Sequence, residues 1–97
     1  MQLIYDQRFI DAFVEIRHYI AKDSANRAHD FERELKSKIE TLISMPYRYR
    51  QSIYFNQKNI RDYVFKGYTI PYLIDEEKQM IVILDIFKWT DHKGEAQ

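Results

Sequence analysis

The chain has 97 residues, of which 45% are hydrophobic and 31% are charged, a composition typical of one globular domain. Fifteen Lys and Arg side chains balance fifteen Asp and Glu side chains, which argues against a global field that attracts nucleic acid. There is no cysteine, which excludes disulfides and thiolate metal sites. Because the N-terminus has no apolar signal region and no segment approaches a membrane span, we expect a cytoplasmic protein.

The N-terminal half has the pattern of a short strand followed by two helices. Residues 2–5 are a brief β-prone run that would pair with strands later in the chain. Apolar side chains then recur at steps of three or four residues, first at Phe9, Phe13, Ile16 and Ile20 and then at Ala28, Phe31, Leu35, Ile39 and Leu42. Asp23 or Ser24 caps the second helix, and Pro46 ends it because proline disfavours helical geometry at the preceding residue. The short connection predicts an antiparallel helical hairpin.

Residues 59–89 have the pattern of three strands. Lys66 and Gly67 form a two-residue reversal, since glycine accepts the positive φ that such hairpins require. Residues 75–79 form a second, charged loop. Pro71 has no N–H to donate, so its strand is expected at a sheet edge or bulged there, whereas the apolar run 80–84 suits a central strand covered on both faces.

The predicted fold class is therefore α+β. A short N-terminal strand precedes an antiparallel helical hairpin, and a three- to four-stranded antiparallel sheet follows. We expect residues 1–97 to form a single domain. His18 and His29 lie on helices without a second ligand at i+4, so no metal site is expected, and we expect no cofactor.

Four short motifs resemble a known family. They are residues 42–46 (LISMP), residues 59–63 (NIRDY), residues 66–75 (KGYTIPYLID) and residues 81–87 (IVILDIF). Together with the order of elements, these motifs resemble the RelE/ParE toxins, the toxin halves of bacterial type II toxin–antitoxin modules. The resemblance implies a growth inhibitor that a cognate antitoxin neutralises, with roles such as plasmid stabilisation.

The chain departs from the pattern of the family's ribonuclease members at two places. Those members usually have an arginine after the Gly-Tyr pair, where this chain has Thr69. They often continue the last strand into a His-Arg pair, where this chain has Phe87 and Lys88. Metal-free RNA cleavage needs a base for the 2′-OH, an acid for the leaving oxygen and cations for the phosphorane. Thr69 and Phe87 supply none of the charged roles, although Lys88 could still hold a phosphate.

Cations are concentrated in residues 46–66, which contain five Lys or Arg side chains and one carboxylate, a local net charge of +4. With one further lysine, the candidates for binding a target or a phosphate are Arg48, Arg50, Lys58, Arg61, Lys66 and Lys88. Tyrosines alternate with arginines in residues 46–51, which suits stacking on bases and contacting phosphates. Alternatively, the tyrosines pack under the sheet while the arginines are solvated or pair with helix carboxylates. An acidic antitoxin would also exploit this charge.

Arg61 has two interpretations. It reaches a partner or substrate, which the resemblance favours, or it pairs with Asp62, Asp85 or a helix carboxylate. Asp85 is more simply read as a partner for Arg61 or Lys88. If the chain cleaves RNA, the candidates for catalysis are Arg61, Lys88, Tyr49 and His92.

A second set of candidates would bind the antitoxin. Ile10, Val14 and Ile43 are apolar positions off the centre of the helical stripes, so they either line a groove for an antitoxin helix or strand or belong to a thick core. Trp89 is either a cover for the core edge or an interface anchor.

Three functions remain open at this point. The favoured one is a ParE-like toxin that binds a target such as DNA gyrase. The second is a ribosome-dependent mRNA endonuclease of RelE type, and the third is a binding module without toxicity. The partners implied are a cognate antitoxin and either gyrase or the ribosome with its mRNA, but no membrane.

Overall fold

The computed structural model describes residues 1–88, which form an α+β fold. Its elements in chain order are β1 (Gln2–Tyr5), α1 (Gln7–Asp23), α2 (Ala25–Glu40), a short 3-10 helix (Thr41–Ile43), β2 (Ile60–Phe65), β3 (Tyr68–Asp75), β4 (Met80–Ile83) and β5 (Phe87–Lys88). The predicted fold class is confirmed. No helix within residues 1–88 is long and apolar enough to cross a membrane.

Capping side chains define the ends of the helical hairpin. The Asp6 carboxylate accepts from the backbone N of Arg8 at 2.9 Å at the start of α1. Ser24 separates the two helices, since its backbone N donates to the Ile20 carbonyl and its hydroxyl accepts from the Arg27 backbone N at 3.2 Å. The cap of α2 is therefore Ser24, one of the two predicted residues.

The sheet has the strand order β1-β4-β3-β2. β1 pairs in parallel with β4, from Gln2 opposite Met80 to Tyr5 opposite Ile83, so the N-terminal run does join the later sheet. The other pairings are antiparallel, and β5 also pairs with β3. β4 is central, as predicted, but the expectation that both its faces are covered is wrong, because Ile81 and Ile83 are buried while Val82 is only half-buried.

The turn chemistry of β3 agrees with the sequence. Lys66 and Gly67 have φ values of 49° and 86°, the two positive values of a tight β-hairpin. Pro71 lies opposite a bulge, because the chain takes four steps from Ile83 to Phe87 and three steps from Tyr72 to Thr69 on the facing strand. The Pro71 carbonyl accepts from Leu84 on that side, so the missing N–H of the proline also faces the bulge.

The hydrophobic core lies between the sheet and the helical hairpin. Aromatic rings link the two layers, with Phe31 of α2 at 5.5 Å from Phe65 and 5.6 Å from Tyr68, both edge-on. The largest fully buried side chains include Tyr72, Leu35, Ile39, Leu42, Ile70, Ile74, Ile81, Ile83 and Ile86. The helices thus cover one sheet face, and on the other face Tyr54, from the connection between Ser44 and Asn59, packs against Phe87.

Candidate functional site

The connection of residues 44–59 wraps around the outer edge of β2. Gln51 forms an isolated antiparallel bridge with Arg61, the Ser52 backbone N donates to the Ile60 carbonyl, and the Asp62 backbone N donates to the Arg50 carbonyl. Before this point the connection lies on the helix side of the sheet, and after it Tyr54 lies on the other side, with its ring 5.0 Å from that of Phe87. The basic segment therefore covers the edge of β2 and meets both faces of the sheet.

Arg61 holds the two ends of this connection together. Its Nη1 donates to the Tyr49 carbonyl at 3.1 Å and its Nε donates to the Lys58 carbonyl at 3.0 Å. Its guanidinium also lies over the Tyr47 ring, 4.9 Å from the ring centre. The alternative that Arg61 pairs with Asp62, Asp85 or a helix carboxylate is wrong, since its partners are carbonyl oxygens and an aromatic ring.

Asp62, the next residue of β2, holds the middle of the connection from the opposite sheet face. Its side chain is 0% exposed, and its Oδ2 accepts from the Ile53 backbone N at 3.3 Å. Arg50 places Nη2 3.6 Å from the same oxygen while its own side chain stays 52% exposed. Successive strand residues thus orient the connection from both sides.

The tyrosines of the connection take both predicted positions. Tyr49 packs edge-on against Tyr63, with ring centres 5.0 Å apart. The Arg48 guanidinium lies over the Tyr49 ring, 5.7 Å from the ring centre. Tyr47 remains 42% exposed, and its hydroxyl donates to Glu76 at 3.3 Å. Stacking on an external base is therefore open to Tyr47, whereas Tyr49 belongs to the packed interior.

Tyr72 in β3 holds the start of the connection through a hydrogen bond to its backbone. This side chain is fully buried in β3, and its hydroxyl donates to the Pro46 carbonyl at 2.6 Å. Burial raises the pKa of Tyr72 above its usual value of 10.0, and the nearby Arg61 cation acts in the opposite direction. The phenol is thus a hydrogen-bond donor to the backbone at neutral pH.

The six predicted cations fall into two groups at opposite ends of β2. Arg61 lies at the start of the strand and Lys66 follows its end, which places their backbones about 16 Å apart at roughly 3.3 Å per residue. Lys88 lies at the same end of the sheet as Lys66, because Lys88 pairs with Tyr68 at the start of β3. Four cations, Arg48, Arg50, Lys58 and Arg61, therefore belong to the connection end, and two belong to the hairpin end.

The hairpin-end cations lie against the helices. Lys66 Nζ is 3.0 Å from Glu34 of α2, in a pair whose side chains are both about half exposed. Lys88 Nζ lies 6.0 Å from the ring centre of Tyr19 and 5.8 Å from that of Tyr68. Beside Lys88, a cleft of about 360 Å³ separates α1 from β5.

The two positions that depart from the nuclease pattern are both buried. Thr69 is 2% exposed and Phe87 is 8% exposed, and the two residues pair with each other across β3 and β5. Neither side chain is placed to contact a bound target. His92 and Trp89 lie outside residues 1–88, the part of the chain that the structure describes.

The apolar antitoxin candidates are exposed. Ile10 is 40% exposed and Val14, one turn later on α1, is 54% exposed, while Ile43 at the end of the 3-10 helix is 38% exposed. A cleft of about 180 Å³ between the helices lies near this side, lined by Phe9, Phe13, Glu32, Leu35, Lys36 and Ile39. The alternative that a thick core uses all three residues is wrong.

Sequence reasoning missed three residues that shape the connection: Asp62, Tyr72 and Glu76. A carboxylate flanked by Ile60, Tyr63 and Phe65 in an apolar strand indicates a buried group, and this signal identifies Asp62 as more than a counter-charge for Arg61. Tyr72 carried only the signal of strand alternation, and nothing in the sequence linked Glu76 to Tyr47. Contacts between residues more than 25 positions apart leave no periodic signature.

A strand, a helical hairpin and a mostly antiparallel sheet with a basic connection around β2 define an α+β fold of RelE/ParE type. The family model described as the ParE toxin of type II toxin-antitoxin system, parDE, matches residues 3–90. The chain belongs to this family of toxins. Comparison of the sequence with curated proteins gives no match.

Solved structures of toxins share the fold at low sequence identity. A chain of the chromosomal ParDE toxin–antitoxin system from P. aeruginosa is 14% identical, with a TM-score of 0.72 over 91% of this chain and 95% of that chain. A mutant E. coli toxin RelE in complex with an antitoxin RelBc peptide is 16% identical, with a TM-score of 0.66 over 99% and 93%. The isolated E. coli RelE toxin is 15% identical, with a TM-score of 0.62 over 99% and 98%.

Proposed function

We propose that this toxin arrests bacterial growth in the cytoplasm by binding a protein target such as DNA gyrase, and that a cognate antitoxin neutralises it. Residues 1–97 would act as one toxin domain, without a cofactor. The observation that carries the choice of target is the division of the predicted cations between the two ends of β2. A surface that binds a protein can use one of these groups alone.

Cleavage of RNA makes a stricter demand on the same residues. An acid, a base and cations must surround one phosphate within hydrogen-bond reach. Here Arg61 is engaged with two backbone carbonyls, Tyr49 packs against Tyr63, and Lys88 lies at the far end of the sheet. This placement supports a binding function over a nuclease.

The second candidate, a ribosome-dependent mRNA endonuclease, is favoured by the connection itself. Four cations belong to the connection end, where Arg61 lies over the exposed ring of Tyr47 and Arg48 lies over the ring of Tyr49. A cationic surface with an open aromatic ring can bind single-stranded RNA. His92 remains a predicted catalytic residue of this candidate.

One expression experiment separates these functions. The chain is induced from a tight promoter in a bacterial host, and growth, primer extension on abundant messages and the supercoiling of a reporter plasmid are followed together. We expect growth arrest with altered supercoiling and intact messages. Discrete cuts in translated message would replace the gyrase proposal with the endonuclease. Normal growth with folded protein present would leave a binding module without toxicity.

The antitoxin surface has its own test. We propose that Ile10, Val14 and Ile43, together with the predicted anchor Trp89, contribute to antitoxin binding. The first three are exposed apolar residues, and Phe9 and Phe13, the chain neighbours of Ile10 and Val14, line a cleft that suits an ordering peptide segment. Ile10→Ser with Val14→Ser should reduce copurification with the product of the neighbouring gene by about tenfold or more, as for loss of an apolar anchor. The matched control is Arg8→Ser with Glu15→Ser, two exposed residues seven positions apart on another side of α1, and equal loss in both pairs would contradict the proposal.

A further inference from the structure

Asp62 has an unusual environment for a carboxylate in a domain of this size. Its side chain is wholly buried, and Oδ2 meets the Ile53 backbone N and the Arg50 guanidinium. Its other oxygen, Oδ1, has no hydrogen-bond partner within residues 1–88. Burying an oxygen of an ionised group without a donor opposes folding, so this placement requires an explanation.

The sheet itself does not require a charge at this position. Asp62 lies opposite Pro71 in β3, next to the buried Thr69 on the same face, and its own backbone N already donates to the Arg50 carbonyl. The main chain of Arg50 is therefore attached to β2 without help from the carboxylate. What the carboxylate adds is the direction of the Arg50 guanidinium and the position of the Ile53 backbone N.

Arg50 is the exposed end of this arrangement. About half of its side chain faces solvent, while one nitrogen points at the buried Asp62. A guanidinium has five N–H donors, so those not directed at Asp62 remain available to an acidic group outside. From the opposite face, Arg61 holds the Tyr49 carbonyl, which fixes the residue before Arg50. Such preorganisation lowers the entropy lost when a partner binds.

We propose that Asp62 is a positioning residue for target binding, whose buried carboxylate holds Arg50 and residues 51–53 in the conformation that meets an acidic group on the target protein. The inference rests on the proposed function, namely a toxin that acts by binding a protein. The charge of the carboxylate then determines the shape of this surface and contributes little to stability.

Asp62→Asn tests the proposal because it keeps the shape and the acceptor for the Ile53 backbone N while removing the charge. Induced expression should show at least a tenfold loss of growth arrest, measured as surviving colonies. The thermal midpoint should fall by less than about 4 °C, the shift that about 1 kcal/mol produces in a small domain. The matched control is Asp30→Asn, which removes a carboxylate from the exposed pair with Arg33 and should keep full growth arrest.

Two results would overturn the inference. One is full growth arrest by the Asp62→Asn chain, and the other is loss of arrest together with a large fall in the thermal midpoint, which an ordinary structural role predicts. Arg50→Gln provides a second variant at an exposed position. It should lose growth arrest to the same extent, and the double variant should lose no more, because both changes act through one guanidinium. Additive losses would contradict the coupling.

A measurement independent of toxicity separates this inference from the proposed function. The order of the Arg50 guanidinium is measured by NMR relaxation of its Nε–H group in the purified chain, and it should fall clearly in the Asp62→Asn chain while the Arg50 backbone N–H stays ordered. Unchanged order of the Arg50 side chain would overturn the positioning role even if the wild-type chain proved non-toxic. Failure of the wild-type chain to arrest growth, with a less ordered Arg50 side chain in the variant, would instead contradict only the proposed function.

Discussion

The two ends of β2 carry similar charges but hold them in different ways. At the connection end, Arg61 and Asp62 contact backbone groups, and most of these contacts are half-buried or buried. At the hairpin end, Lys66 meets Glu34 through two exposed side chains. A side chain bonded to backbone determines the path of the chain, whereas an exposed ion pair adjusts only the local charge.

This difference separates shape from charge along a single strand. Changes at the connection end should alter stability or target binding, because the side chains there hold the backbone of the connection. Changes at the hairpin end should alter little beyond the salt dependence of binding.

Arg61→Met should lower the free energy of unfolding by about 2–3 kcal/mol. The methionine keeps an apolar stem but removes two charge-assisted hydrogen bonds to carbonyls that join both ends of the connection. Urea unfolding followed by circular dichroism measures the change. A loss below about 0.5 kcal/mol, the range of an exposed contact, would mean that the two ends of β2 do not differ as described.

Tyr72→Phe should lower the free energy of unfolding by about 1–2 kcal/mol at pH 7, because the Pro46 carbonyl loses its buried donor. The same urea titration applies. Tyr19→Phe is the matched control, since Tyr19 is 65% exposed and should change stability by less than about 0.5 kcal/mol. Equal effects at the two tyrosines would contradict the anchoring role of Tyr72.

Alkaline pH should destabilise the wild-type chain more than the Tyr72→Phe chain. Burial raises the pKa of Tyr72 in the folded state above the ordinary 10.0, so the folded state keeps a proton that the unfolded state releases. The contribution is fully present below pH 10 and is lost as pH rises above it, with a slope of up to about 1.4 kcal/mol per pH unit.

Urea titrations at pH 9 to 11.5 measure this dependence for both chains. Burial also raises the pKa of Tyr5 and Tyr63, so a residual slope is expected in the Tyr72→Phe chain. Identical slopes in the two chains would show that the Tyr72 phenol ionises as freely in the folded state as in the unfolded state.

Lys66→Met should have the smallest effect, below about 0.5 kcal/mol, because its pair with Glu34 is half exposed and screened by salt. The difference from wild type should vanish at high salt concentration. A loss comparable with that of Arg61→Met would remove the contrast between the two ends of β2.

The regular parts of the fold were predictable because each has a local signature. The stripe from Phe9 to Ile20 predicted α1, Gly67 predicted the hairpin, and the missing N–H of Pro71 predicted a sheet edge or a bulge, of which the structure has the bulge. The error at β4 arose because an apolar run does not say whether its second face is covered, and Val82 is only half-buried.

The connection was predictable in composition but not in shape. Its alternating tyrosines and arginines were visible, yet which tyrosine turns inward depends on the rings that β2 presents, here Tyr63 below Tyr49. The partners of Arg61 are carbonyls, which every residue carries, so no side-chain pattern could identify them. The division of the cations followed only from the register that places Lys88 beside Tyr68.

The parallel pairing of β1 with β4 has a consequence for the order of folding. Gln2 pairs with Met80, so the first strand made waits longest for its partner, and the segment between the two strands is most of the chain. During synthesis, α1 and α2 can form early, while β1 can join the sheet only after residue 83 has been made. A chain that stops before β4 leaves β1 without a partner, so synthesis through β4 is a condition for an intact sheet.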